Sequence, residues 1–218
     1  MSRMKRCGVV LVLLMALFLL TACDGVDYSD TIAYSQSRTA AVFSGAREGR
    51  FQMDFSIWVL SKEVKCSLTA EQSAGVAQMH AVRNAHNIYQ REVGNRAYTI
   101  DAGKAKEYTE DARTDSGVLG IADLLTGGAD TVRVGTGEAQ NQTFYCETLQ
   151  NDKLKVICYF DGGTLKYVRM KVLGMEAAGE VHSVTYNVAD EELTVAGFPE
   201  EYTKVSELSD LKSLNPFG

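Results

Sequence analysis

The residues of this 218-residue chain that could do chemistry are three histidines, a few adjacent acids and five cysteines. His80, His86 and His182 have no zinc-ligand spacing to a second ligand. His182 shares the parity of Val184 and Tyr186, which places it at the end of an apolar strand face. There is no Gly-x-Ser-x-Gly elbow, no His-Glu-x-x-His pair and no Walker-type loop. The run GTGEAQ at 135–140 lacks a phosphate-binding pattern and reads as a turn. Glu191-Glu192 and Glu200-Glu201 lie beside turn or strand-end signals, where carboxylates are solvated. We therefore assign no catalytic residue, no metal ligand and no cofactor, and expect a protein that is not an enzyme. A hydrolase would need a convergent cluster of titrating groups in a cleft.

Cys66, Cys146 and Cys158 are the internal thiols. Three is odd, so at most one intrachain bridge forms. Cys146 and Cys158 lie in two strand-like stretches joined around Asn151-Asp152. A three-residue loop of Asn151, Asp152 and Lys153 sets these cysteines opposite each other, close enough for a disulfide. A two-residue turn pairs Cys146 with Ile157 instead. In the bridged reading Cys66 stays free and buried.

The N-terminus reads MSRMKRCGVVLVLLMALFLLTAC. Arg3, Lys5 and Arg6 are a basic n-region, and Gly8 to Leu20 is an apolar run too short for a stable span. Its end, Leu20-Thr21-Ala22-Cys23, resembles the bacterial lipobox. The resemblance implies a diacylglyceryl thioether on Cys23, cleavage before it and further acylation, such as by palmitate, of the new amine. Residues 1–22 are then a signal peptide, and Cys23 holds the protein by lipid on the extracytoplasmic face of the cell membrane. Two or more acyl chains anchor stably, at roughly 0.8 kcal/mol per buried CH₂. Asp24 resembles the inner-membrane retention signal of enteric bacteria. Export also permits disulfides. The mature chain keeps 19 Lys and Arg against 28 Asp and Glu, a net charge of −9. That acidity argues against nucleic acid and against docking on anionic lipid headgroups.

After cleavage 196 residues remain, enough for one domain with a core. Residues 23–30 read as a tether and 31–218 as a single domain. Thr31 to Phe43 reads as a helix capped by Asp30. In RFQMDFSIWVL, Phe51, Met53, Phe55, Ile57 and Val59 alternate with polar residues and Trp58, the signature of a strand with one apolar face. Trp58, of opposite parity, lies outside or under the N-terminal helix. Further strand-like stretches follow at Val64–Leu68, Val76–Val82, Asn87–Val93 and beyond the Gly94-Asn95 turn. Asp115-Ser116 can cap a short helix, GVLGIADLL, stopped by Gly127-Gly128. The strands TVRVG, QTFYCETL, KLKVICYF, TLKYVRMKVL, HSVTYNV and LTVAGF then run to residue 198, with tight turns that make them antiparallel. Val168, Met170 and Val172 share one face, as do Val184, Tyr186 and Val188.

This order resembles the LolA/LolB-like fold, which is shared with mycobacterial lipid-carrying lipoproteins of the LppX/LprG type. The resemblance spans roughly residues 50–205. It rests on NIYQREVGNRAYTIDAGKAKEYTE as the middle hairpin, SGVLGIADLLTG as the helix and YFDGGTLKYVRMKVL as the late strand pair. VAGFPEEYTKV, with Phe198, Pro199 and Tyr202, stands at the closing strand end. The implied fold is α+β, a strongly curved antiparallel half-barrel sheet with short helices covering the concave face. The implied function is a lipid-anchored envelope binding protein holding a lipid, an acyl chain or a lipoprotein's lipid moiety in a hydrophobic cavity. Phe51, Met53, Phe55, Ile57, Val59, Val168, Met170, Val184 and Tyr186 would line that cavity. The rival reading is a tethered protein-protein interaction module with a filled core, no ligand and an envelope protein as partner. The volume of apolar space separates the two.

Overall fold

A computed structural model describes residues 25–48, 50–59, 62–83, 86–172 and 175–209. Thirteen strands and two α-helices alternate in the order β1 (Val26–Ala33), α1 (Arg38–Val42), β2 (Phe51–Val59), β3 (Lys62–Glu71), β4 (Val76–Arg83), β5 (His86–Val93), β6 (Arg96–Asp101), β7 (Glu107–Ala112), α2 (Val118–Thr126), β8 (Thr131–Ala139), β9 (Gln142–Gln150), β10 (Lys155–Asp161), β11 (Thr164–Val172), β12 (Met175–Tyr186) and β13 (Thr203–Lys204). All strands join one sheet, in the order β1-β8-β9-β10-β11-β12-β2-β3-β4-β5-β6-β7-β13. Every neighbouring pair is antiparallel except β13 with β7, which is parallel.

The fold expected from the sequence is corrected here. The described residues form mostly a single mixed sheet that does not close, 57% strand against 16% helix among them, with one helix of seven or more residues. It is therefore not an α+β fold with helices covering the sheet. The largest discrepancy lies at the N-terminus. Residues 26–33, read as tether and helix, form β1, and only a 3-10 turn (Tyr34–Gln36) and the five-residue α1 follow. Ser37, not Asp30, is the N-cap: its hydroxyl accepts from the Ala40 N–H at 2.9 Å. Asp30 caps only its own neighbour, accepting from the Thr31 N–H. The β-branched Thr31 and Ile32 fit a strand better than a helix.

The helix expected near residue 118 is present as α2. Its buried face (Val118, Ile121, Leu124, Leu125) packs against β3, β4 and β5 on one side and β9 and β10 on the other. Strands so far apart in the order can meet one helix only if the sheet curls around it. The inner face of that curl is one cluster running from Val132 and Leu149 through Val156 and Phe160 to Phe55, Leu68 and Met79.

On the outer face, the segment expected to be a strand at residues 193–198 instead crosses β4–β7 as a strap. Leu193 and Val195 are buried beneath it. The Gln78 side chain donates to the Glu192 carbonyl at 3.3 Å, and Arg91 donates to the Leu193 carbonyl. Phe198 sets its ring edge-on to Tyr98 and Tyr108, with centroids 5.3 and 5.1 Å away. The strap ends in β13, whose two residues cover the β7 edge.

Candidate functional site

The residues expected to line a cavity lie on the inner face. Phe51, Met53, Phe55 and Ile57 on β2 are each at most 1% exposed, and Val168 and Met170 on β11 are buried with them. The β2–β12 register sets Val184 opposite Met53, where it is half-buried against the same cluster. Phe43, just after α1, meets Phe51 edge-on at 5.3 Å. Val59 belongs to β2 by its backbone, and its side chain lies outside the described residues. Tyr186 departs from the set: it is 36% exposed, and its hydroxyl donates to the Val42 carbonyl. These residues thus belong to a packed layer between the sheet, Phe43 and α2, the close packing of a protein interior.

Two buried glutamates hold the helices in the curl. Glu147, fully buried on β9, accepts from the backbone N–H groups of Arg38 and Thr39 at 2.8 and 2.7 Å and from the Thr39 hydroxyl at 2.6 Å. These are orphan donors at the start of α1. Glu92 on β5 does the same for α2, accepting the Leu119 N–H at 2.9 Å. The N-cap of α2 is Gly117, which has no side chain to offer, so Glu92 supplies the cap from the sheet. Burial pushes the Glu92 carboxyl above its usual value, while the N–H groups of Leu119 and Val118 oppose that shift.

Beside this contact lies a cleft of about 500 Å³ between the β5–β6 wall, the start of α2 and the β9–β10 loop. Gln90 and Thr99 are directly opposed across β5 and β6 and line one side. Val118 and Ile121 form apolar floor, and Lys153 and Glu176 stand at the other rim. Lys153 is engaged with Asp115 at 2.5 Å. The cleft lining is thus mixed, with polar and charged side chains beside apolar ones.

His80 and His182 do not assemble a reaction centre, and the side chain of His86 lies outside the described residues. A bulge between Val181 and Ser183 turns His182 to the outer face, against the parity read from Val184. There its Nε2 lies 2.8 Å from the Ser56 Oγ, which donates to Glu63 Oε1 at 2.6 Å. The hydroxyl thus stands between imidazole and carboxylate. A nucleophilic triad needs the imidazole in the middle, so that it can take the hydroxyl's proton while the carboxylate orients it. Ser56 is also fully buried. His80 stacks on Tyr89 at 4.1 Å and bonds Asn87, and burial lowers its pKa. Of the acid pairs, Glu191 and Glu192 sit exposed in a 3-10 turn, and Glu201 pairs with Lys106 at 2.5 Å. Among the described residues no group of three or more His, Cys, Asp or Glu side chains could hold a metal ion.

The disulfide weighed between Cys146 and Cys158 is not formed: Cys66, Cys146 and Cys158 are free and buried. Gln150 pairs with Lys155, so the loop has four residues, and Cys146 faces Tyr159 while Cys158 faces Glu147. The cysteines point to opposite faces of the sheet, one in each of two apolar clusters. Burial pushes all three thiols up to about 12, which leaves them protonated and unreactive. Trp58 is 43% exposed on the outer side rather than covered by an N-terminal helix. No described helix is long and apolar enough to cross a membrane, and the signal peptide and Cys23 anchor expected from the sequence lie outside the described residues.

No family model matches this chain, and no curated protein matches it. Among solved structures it is similar to an uncharacterized conserved protein from Thermus thermophilus. The TM-score is 0.46 at 8% identity, over 77% of this chain and 96% of that one.

Proposed function

We propose that this chain is a lipoprotein, anchored through Cys23 on the extracytoplasmic face of the membrane, that works as a tethered interaction module rather than a lipid carrier. One observation supports this choice over the carrier: Phe51, Met53, Phe55 and Ile57 are all buried within one apolar cluster, with Phe43 edge-on to Phe51, where an acyl chain would have to lie. A carrier needs apolar space of several hundred Å³. The cleft beside Glu92 instead sets Gln90, Thr99, Lys153 and Glu176 among the apolar Val118, Ile121 and Leu154. Such a surface suits polar contacts with an envelope protein.

The anchoring half of the reading rests on the LTAC sequence after a basic and apolar leader. Fractionation and intact mass of Cys23→Ala test it. The variant should leave the membrane or persist as the unprocessed precursor; membrane association and mass equal to wild type would contradict anchoring. Solvent extraction of the purified lipidated protein tests the other half. The extract should contain no lipid in stoichiometric amount, because the acyl chains on Cys23 are covalent and stay with the protein. A bound lipid at one per chain would restore the carrier.

A further inference from the structure

β1 begins at Val26, three residues after Cys23. Three residues of extended chain span roughly 10 Å. If Cys23 carries the anchor, the Val26 end of the sheet stands at the bilayer surface. The strand register then orders the outer face by distance from that surface. The nearest row is Val26, Gly137 and Phe144. The next is Tyr28, Gly135, Cys146, Tyr159 and Tyr167, followed on β12 by Glu180. The third runs through Arg133, Thr148, Ile157 and Arg169. From the anchor outward the face is therefore apolar, then tyrosine-rich, then arginine-bearing.

This patch has a small apolar cluster of its own, separate from the main core. Ala139, Cys146, Ile157 and Tyr159 are buried in it, with Val26, Phe144 and Tyr167 half-buried around them. Every member comes from the sheet's own strands. The Arg133 guanidinium lies over the Tyr28 ring at 3.6 Å, and that of Arg169 lies 5.7 Å from the centre of the Tyr159 ring. Aromatic rings with one polar end favour the membrane–water interface.

We propose that the Val26–Phe144 corner of the outer face rests on the lipid bilayer, with Phe144 and Tyr167 at the headgroup level. The inference rests on the anchoring reading above. The net charge of −9 after cleavage does not oppose it. The acyl chains supply the affinity, and a tethered patch needs little of its own because its effective concentration at the surface is high. At physiological ionic strength repulsion of the acidic remainder from an anionic leaflet reaches only about 8 Å, so orientation is decided by the residues nearest the surface.

The test uses lipidated full-length protein in phosphatidylcholine–phosphatidylglycerol vesicles, some of whose headgroups carry a nitroxide quencher. A fluorophore is attached at Thr143→Cys, beside Phe144, or at Asp111→Cys on β7, near the opposite edge of the sheet; both sites are exposed. The three native thiols are buried and stay unlabelled. Flotation of the same samples reports anchoring independently. The proposal predicts at least threefold stronger quenching at position 143 than at 111. Phe144→Ser should bring the ratio toward one while flotation stays unchanged, read well below a melting temperature that falls because the ring packs edge-on against Tyr167. Equal quenching in protein that floats overturns the proposal and leaves anchoring intact. A chain that does not float overturns both.

Discussion

Glu92 on β5 accepts the backbone N–H of Leu119 in α2 across 27 residues of sequence, and this contact fixes where the one long helix sits in the curl of the sheet. The linkage has a definite sign. Burial raises the folded-state pKa of Glu92 above its ordinary 4.5. Between the unfolded value and the raised folded value the native state holds more protons, so this group's contribution to stability is greatest below about 4.5 and falls as pH rises. Urea unfolding of wild type and Glu92→Gln at pH 4.5 and 7.5 checks this. The stability of wild type minus that of the variant should be larger at pH 4.5 than at 7.5. Glu92→Ala, which leaves the helix start uncapped, should cost about 0.5–2 kcal/mol at either pH.

Glu147 makes the corresponding contact to α1 with three donors, where Glu92 meets the N–H groups of Leu119 and Val118. Removal of Glu147 strands the N–H and hydroxyl of buried Thr39, and an unsatisfied buried donor costs about 1–3 kcal/mol. Glu147→Ala should therefore be more destabilising than Glu92→Ala. Chemical denaturation of the two variants side by side decides the ranking.

Gly135 on β8 allows β1 to approach closely: a Cβ there would overlap the Asp27 carbonyl oxygen. Gly135→Ala should push the edge strand off the sheet at a cost of about 1–3 kcal/mol. Amide exchange should accelerate along Val26–Ala33 and be little changed in β2–β5. Protection of β1 equal to wild type would count against that close approach.

The thiols give a direct chemical check. Alkylation of the native protein under oxidising conditions should leave Cys66, Cys146 and Cys158 unlabelled, and denaturation without reductant should expose all three to labelling. A peptide joining Cys146 to Cys158 would contradict the register.

Much of the sheet was legible because alternation is a local signal. The parity of Phe51, Met53, Phe55 and Ile57 named the inner face of β2, and the apolar spacing of Val118, Ile121, Leu124 and Leu125 named α2. What the sequence hid is non-local or depends on one residue of register. The side chain of Asn151 accepts from the N–H groups of both Lys153 and Leu154, which lengthens the β9–β10 loop by one residue and separates the two cysteines. The bulge at His182 reverses a parity that the neighbouring Val184 keeps. Glu92 and Glu147 alternate with apolar residues like any solvated acid, and only the sheet's curl reveals that each caps a helix. Nothing local says that β1 should pair with β8, more than a hundred residues on, so Thr31–Phe43 looked like a free amphipathic helix.

The central claim is that the inner face is a filled core, and the melting temperature of Phe55→Asp tests it most directly. Phe55 is 1% exposed in the middle of β2, within the cluster that packs against α2. An unpaired charge in such a place costs about 3–5 kcal/mol, which for a domain of this size lowers the melting temperature by on the order of 10 °C. The account predicts a fall of that size or outright unfolding. A near-normal melting temperature would mean that the carboxylate reaches water inside an open cavity, and would contradict the filled core.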